Sequence, residues 1–537
     1  MKKILFVIVG ALVSIAANSQ ELHIGQTSPF VAPKYANDVI IDMAPTIDQR
    51  HVRLSVAFNG WLYAAFSTVD SINNKGGITI MKSKDDGASW QQIERYSFAG
   101  FRYPTFDIVV AGTDTSNLSL YLIGVQNNLS LSEYTLFVDR YNAATNAFTG
   151  SLYNSPKGTR RIPDVAIATD YRFPAVGASP YSLAFAYSVY SSTYDSVNFA
   201  VSLDGGNTFG AIQNVSTTGS YFRKISLAYG RSSSASNGRY FMAWELLTSY
   251  SNRTGHIFES RNASIINGSW IKPINLDSVS TSMINLCRNP SIAVQYNDLD
   301  NDSSSCTAIV LVERDYNGDG SDYDLLGFYN KRSHYTNYWF RLDIVNSGEN
   351  DMSPDITYDP GFNNFLAVYF DSTNKKLPYI VNPMNLLTPG TWITITAQYN
   401  DSPDLTAPCP QVEINPLVNQ TAHVWIEDGI GTNGVAMFDA EYSALGIAGE
   451  TGNEDDMLYP NPASGEVNLM ISGVSSPGSI INIFDVTGKL VESRQVVNKK
   501  AGNSFEKFDV SNWENGLYFI VVPSGNKVQT HKLVVSH

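Results

Sequence analysis

Cysteine is scarce in this chain of 537 residues: Cys287, Cys306 and Cys409 are the only three, and an odd number leaves at least one thiol unpaired. A disulfide framework is therefore excluded as the main source of stability, which must come from burial. Charge is also sparse, with 16% Asp, Glu, Lys and Arg and a net charge of −14. That sign argues against nucleic acid or an anionic membrane surface as a partner held by general electrostatics. Beyond the first twenty residues no apolar run approaches the roughly 18 to 20 residues that span a bilayer. Several chemistries lack their motifs. The seven histidines include no His-x-x-x-His pair, no Cys pair stands at zinc spacing, and there is neither a Gly-x-Ser-x-Gly elbow nor a phosphate-binding glycine loop.

What is abundant points one way. Thirty tyrosines, 26 phenylalanines and 39 glycines alternate with short apolar stretches, the composition of an all-β protein. The opening MKKILFVIVGALVSIAANSQ has a lysine pair, an apolar run and small residues before Gln20, the layout of a secretory signal over 1–19. The expected mature chain is exported and starts at Gln20.

The chain repeats itself. Aromatic residues that follow a strand-like run and a polar turn stand at Trp90, Phe148, Phe209, Trp270, Trp339 and Trp392, spaced by 53 to 69 residues. Upstream of each lies an alternating run opened by Arg or Pro: RLSVAF from Arg53, RYPTFDIVV from Arg102, RIPDVAIA from Arg161, RKISLAYG from Arg223, RNPSIAVQ from Arg288, SPDITYD from Ser353 and CPQVEIN from Cys409. About four short strands per unit, repeated around a ring, predict a β-propeller over 20–445. Seven starts favour seven blades, and six remain if one start is spurious. Only three strands follow Cys409, so DVIIDM at 38–43 is expected to close the last blade from the other end of the chain.

Two segments carry a resemblance. SKDDGASW (Ser83, Asp85, Gly87 and Trp90) and SLDGGNTF (Ser202, Asp204, Gly206 and Phe209) are similar to the Asp-box of sialidase-like propellers, with Ser89 in place of Thr in the first. Ser and Asp can satisfy backbone amides of a turn, Gly accepts a positive φ and the aromatic wedges between sheets, so a structural role is expected for both.

In a propeller the inner strand starts on the face where ligands bind. Arg53, Arg102, Arg161, Arg223 and Arg288 are therefore expected as an incomplete ring at the channel mouth, faced by acids such as Asp70, Glu245, Glu313 and Asp371. Clustered guanidinium groups suit an acidic sugar; the alternative is that each pairs with a carboxylate of the next blade. The sialidase resemblance implies Asp70 near an acid/base position and Glu245 as the helper of a tyrosine nucleophile. A glycan or protein binder, a sialidase-like glycoside hydrolase and a structural or adhesive surface protein are the three functions left open. DYNGDGSDYD offers Asp315, Asn317, Asp319 and Asp322 as calcium ligands, against a solvated hairpin turn; DLDNDSSS offers a poorer set at Asp298, Asp300 and Asp302.

GIAGETGNEDD at 446–456 reads as a linker. Residues 457–537 form a second pattern of strands and turns. Tyr459-Pro460-Asn461-Pro462, the run Phe484 to Lys489, Gly516-Leu517-Tyr518 and Lys532 closely resemble the C-terminal sorting domain of cargo of the type IX secretion system. The resemblance implies the secretion machinery as a partner, passage through the periplasm and the outer membrane, and a secreted or surface-attached product.

Overall fold

Apolar runs along the chain pair as antiparallel strands, four to a sheet in seven of the nine sheets and five in the other two. The computed structural model describes residues 34–442 and 457–537, apart from connecting segments of which the longest are 171–180, 232–237, 263–268, 280–285, 297–305, 384–391 and 473–479. The expected leader at 1–19, the linker at 446–456 and the acidic run at Asp298 to Asp302 lie outside the described residues. The chain divides into two units, Tyr35–Glu441 and a second made of Met1–Lys34 with Tyr442–His537.

The first unit holds seven sheets, each starting with an inner strand: Asp48–Val56, Phe106–Ala111, Val165–Thr169, Phe222–Gly230, Cys287–Val294, Asp351–Asp359 and Gln411–Asn415, in blades 1 to 7. Each inner strand neighbours the next, and the seventh neighbours the first. It is a seven-bladed β-propeller. The outer strand of blade 7 is Val39–Ile40, paired with Met437 and Phe438, so the N-terminal segment completes the last sheet as the sequence suggests. Asp38 and Asp401 lock this seam, each accepting the other's backbone amide on a carboxylate oxygen.

The middle strands are buried continuously along their length instead of at alternate residues, because each blade is covered by two others. In blade 1 the second strand, Leu62–Asp70, is buried from Leu62 through Thr68. Trp90, Phe148, Trp339 and Trp392 stand at or next to the start of a fourth strand, and Phe209 and Trp270 four residues before one; Trp90 packs against Phe438 at 5.3 Å, Phe209 against Phe185 at 4.9 Å and Trp270 against Phe199 at 4.6 Å.

A second device joins the blades around the axis. The amides of Val110, Ile167, Ile225, Ile292, Ile356, Val412 and Leu54 donate in turn to Ser55, Asp107, Asp164, Ser226, Ser291, Asp355 and Gln411, at 2.8 to 3.3 Å. Each acceptor lies on the blade preceding its donor, and Gln411 returns the circuit to blade 1. Backbone amides that no ladder reaches are thereby satisfied inside the protein.

The second unit has two four-stranded sheets, one from Met457–Tyr459, Glu466–Ser472, Asn503–Asp509 and Lys499–Lys500, the other from Leu490–Gln495, Ile480–Asp485, Gly516–Ser524 and Lys527–Val535. Alternate residues Val467 and Leu469 of one sheet share a buried cluster with Ile481, Ile483, Ile520 and Leu533 of the other. This is a small β-sandwich.

Candidate functional site

The inner strands enclose a channel with a cavity of ≈ 250 Å³. Its mouth is shaped by a bulge near the start of the inner strand. His51, Lys224, Asn289, Ser353 and Cys409, in blades 1, 4, 5, 6 and 7, take left-handed φ values of 45° to 52° and all line the cavity. In the four of these blades whose ladder reaches the bulge, the pairing register breaks there. An extra residue leaves the ladder and turns its side chain to the channel. Below, Tyr229, Tyr296 and Tyr358 line the far part of the cavity, with Tyr296 and Tyr358 edge to face at 5.2 Å.

Basic groups meet at the mouth. Arg53 sits two residues beyond the bulge, lines the channel and places Nε 3.7 Å from Asp107 Oδ1. Lys224 is exposed at the rim. The His51 imidazole is pushed down to about 4, first by the protein crowded around it, then by Lys224 and Arg53, so it is neutral at pH 7. Deeper lie carboxyls pushed the other way. Burial raises Asp107 to about 6, although Arg53 and the amides of Ile167 and Ile108 favour its ionised form. Burial raises Asp355 to about 7, with Glu413 adding to the shift and the Val412 amide opposing it.

Of the five arginines expected at the mouth, Arg53 alone lines the cavity. Register explains the correction. Arg223 and Arg288 stand just before the bulge, opposite Glu245 and Glu313 on the second strand of their own blades. Arg223 Nη2 donates to Glu245 Oε1 at 2.9 Å, and Arg288 pairs with Glu313 while its guanidinium covers the Tyr323 ring at 3.7 Å. The partner is thus the same blade, not the next. Arg102 donates to Asn74 Oδ1 and to the Phe101 carbonyl, and Arg161 lies exposed with its backbone bridged to Tyr190; neither lines the cavity.

The two expected catalytic acids are also outside the cavity. Asp70 ends the second strand of blade 1 and accepts the backbone and side-chain N–H groups of Asn73, which hold its carboxyl low. Asp371 in blade 6 makes the same turn with Asn374. Glu245 is fully buried; burial raises it, and Arg223 opposes the rise.

At the loop expected to hold calcium, the side chains bond within the turn. Asp315 spends both carboxylate oxygens on the amides of Gly318 and Gly320, each at 2.8 Å, and Asn317 donates its side-chain amide to Asp322. Asp319 follows in the same turn. Among the described residues no three His, Cys, Asp or Glu gather into a metal-binding group.

Both Asp-box segments lie between third and fourth strands, at the end away from the mouth. Their bonds agree to within 0.1 Å. Ser83 accepts the Gly87 amide at 2.9 Å and Ser202 that of Gly206 at 2.8 Å; Asp85 takes the Ser89 amide and hydroxyl, Asp204 those of Thr208. Gly87, at φ 89°, packs so closely that a Cβ would fall 1.8 Å from the Phe438 ring.

The smaller unit decides where the protein goes. Residues 457–536 match the secretion system C-terminal sorting domain. This tail is a type IX sorting domain. The chain is accordingly exported, to be secreted or attached at the outer surface, and among the described residues no helix is long and apolar enough to cross a membrane. No curated protein matches the chain. Among solved structures it is similar to an α-L-arabinofuranosidase of Fusarium graminearum, at 12% identity and a TM-score of 0.43 over 76% of this chain and 98% of that one. An α-L-arabinanase of Penicillium chrysogenum matches at 15% and 0.41 over 76% and 98%. A mutant sialidase of Trypanosoma rangeli matches at 10% and 0.36 over 93% and 87%.

Missing from the sequence reading are Lys224 and His51 at the mouth, and the circuit of acceptors below it. A signal exists for the circuit. RIPD, RNPS and SPD each place Asp or Ser just after a proline, at the position that receives the next blade's amide.

Proposed function

We propose that this exported propeller is a glycan-binding protein that takes an acidic sugar at its channel mouth. The observation that carries the reading is the meeting of Arg53, His51 and Lys224, from blades 1 and 4, over one cavity walled by tyrosines below. Arg53 and Lys224 would donate to the carboxylate or sulfate of the ligand, and neutral His51 would supply a hydrogen bond to a hydroxyl. Ser353 and Asn289 complete a polar rim. The Asp-box loops lie at the opposite end and serve stability.

A second reading, glycoside hydrolysis, is favoured by one group. Asp355 faces the same cavity and, at about 7, keeps a share of its protons at neutral pH, as a general acid must. Asp70 and Glu245 have no part in it.

The test is a glycan array probed with the purified mature chain, followed by titration of the best binders against Arg53→Ala and Lys224→Ala. Binding of acidic glycans that falls at least tenfold in both variants supports the reading. Binding that ignores them, or a preference for neutral glycans, overturns it. Release of free sugar that is lost in Asp355→Asn would put hydrolysis ahead of binding.

A further inference from the structure

Four of the seven blades share a strand end that blades 2, 3 and 4 lack. Second strands in blades 1, 5, 6 and 7 end on aspartate, at Asp70, Asp315, Asp371 and Asp428, on the mouth face. In blade 3 the second strand runs Leu183–Val189 and is followed by Tyr190. A ring of Tyr221, just before the inner strand of blade 4, lies 5.5 Å from it at an interplanar angle of 34°. Both tyrosines are half-exposed, whereas the aromatic pairs of the core, such as Phe199 and Tyr240, are fully buried.

Their backbones are fixed. Tyr190 and Arg161 exchange both N–H groups and carbonyls, at 2.8 and 3.0 Å. Tyr221 holds a left-handed φ of 65°, unusual for a bulky side chain, and donates its amide to Asp195 Oδ2 at 2.8 Å. Blade 4 thus carries two left-handed residues three positions apart, Tyr221 and Lys224, the second of which lines the mouth. An aromatic pair held in this way loses little freedom when a ring stacks upon it.

We propose that Tyr190 and Tyr221 form a stacking step for the pyranose next to the acidic sugar held at the mouth, so that the ligand is an oligosaccharide leaving the channel across blades 3 and 4. The step rests on the mouth reading above. Tyrosine suits it, since each ring offers an apolar face to the C–H side of a sugar and a hydroxyl at its edge.

The experiment uses the purified mature chain, calorimetric titration and four probes: free glucuronate, free sialic acid, a tetrasaccharide of alternating glucuronic acid and N-acetylglucosamine, and 3′-sialyllactose. In Tyr190→Ala and Tyr221→Ala, affinity for the oligosaccharide that wild type binds is expected to fall about 3- to 10-fold, the scale of one aromatic contact. Affinity for the matching monosaccharide stays within twofold, and Tyr221→Phe retains most of the oligosaccharide affinity. Equal losses for both ligands, or no loss for either, overturn the step. Wild-type binding that needs Arg53 and Lys224 but is untouched by both tyrosine changes overturns the step alone. No wild-type binding of any of the four probes overturns the mouth reading and the step together.

Discussion

Gln411 accepts the backbone amide of Leu54 on its side-chain oxygen at 3.0 Å, across 357 positions of sequence. This bond closes the circuit of seven inter-blade contacts around the channel, and it is the one member supplied by an amide side chain in place of Ser or Asp. Removing the acceptor leaves a part-buried N–H without a partner. Gln411→Ala should therefore lower stability by about 1 to 2 kcal/mol, visible as a reduced midpoint in urea with an unchanged slope. Gln411→Glu, which keeps the acceptor, should recover most of the loss.

The Asp-box turns predict a separation of stability from binding. Asp204 receives the Thr208 amide, the Thr208 hydroxyl and the Ser202 hydroxyl, so Asp204→Ala should cost about 2 kcal/mol or more. Gly87→Ala should cost at least as much, because the added carbon meets the Phe438 ring and φ stays positive. Neither change should alter ligand affinity at a temperature where the protein is folded, as judged by titration beside a melting curve.

How the channel responds to pH follows from its carboxyls. Asp107, near 6, and Asp355, near 7, are both ionised at pH 8 and neutralise Arg53; acidification to pH 5.5 protonates most of Asp355 and much of Asp107. Glu413, Asp164 and Lys224 also face the channel, while His51 stays neutral throughout this range. Affinity for an acidic ligand should rise between pH 8 and 5.5. Asp107→Asn should flatten part of that rise.

His423 gives a stability signal of opposite direction. It is fully buried, packed 4.6 Å from the Tyr399 ring, and burial pushes its imidazole down to about 3. The folded pKa lies below the unfolded value, so the unfolded chain binds more protons between about pH 3 and 6.5, and stability falls as pH falls through that window. At pH 5 the single group costs about 2 kcal/mol relative to pH 7. His423→Gln should lose part of the acid sensitivity, seen as a smaller change in Tm between pH 7.5 and 5.

Calcium chelation provides a fifth check. Both oxygens of Asp315 already accept the amides of Gly318 and Gly320, so EDTA should leave Tm unchanged within error.

The ring and the tail were legible because burial imposes periodicity. Trp90, Phe209, Trp270, Trp339 and Trp392 recur ahead of the fourth strand in five of the blades, and the DVIIDM segment was identifiable as the strand that blade 7 lacked. The mouth was not legible in the same way. A bulge shifts every later side chain by one position, and nothing in RLSVAF or RKISLAYG announces where it falls. Arg50, not Arg53, is the counterpart of Arg223, and each stands before the break in register. Asp70 looked chemical because acids recur at strand ends; its pairing with Asn73, repeated by Asp371 and Asn374, is a turn closure that sequence alone does not separate from a site.

The pairing of Val39–Ile40 with the strand Gly434–Tyr442 sets an order of events. Six sheets are built from neighbours in sequence, yet the seventh waits for a segment made some 400 residues earlier. Until the last blade has emerged, the first strand has nothing to join and the circle stays open. Completion of the ring thus needs the whole propeller sequence, and a chain shortened anywhere before Tyr442 carries its mistake as an unsealed edge.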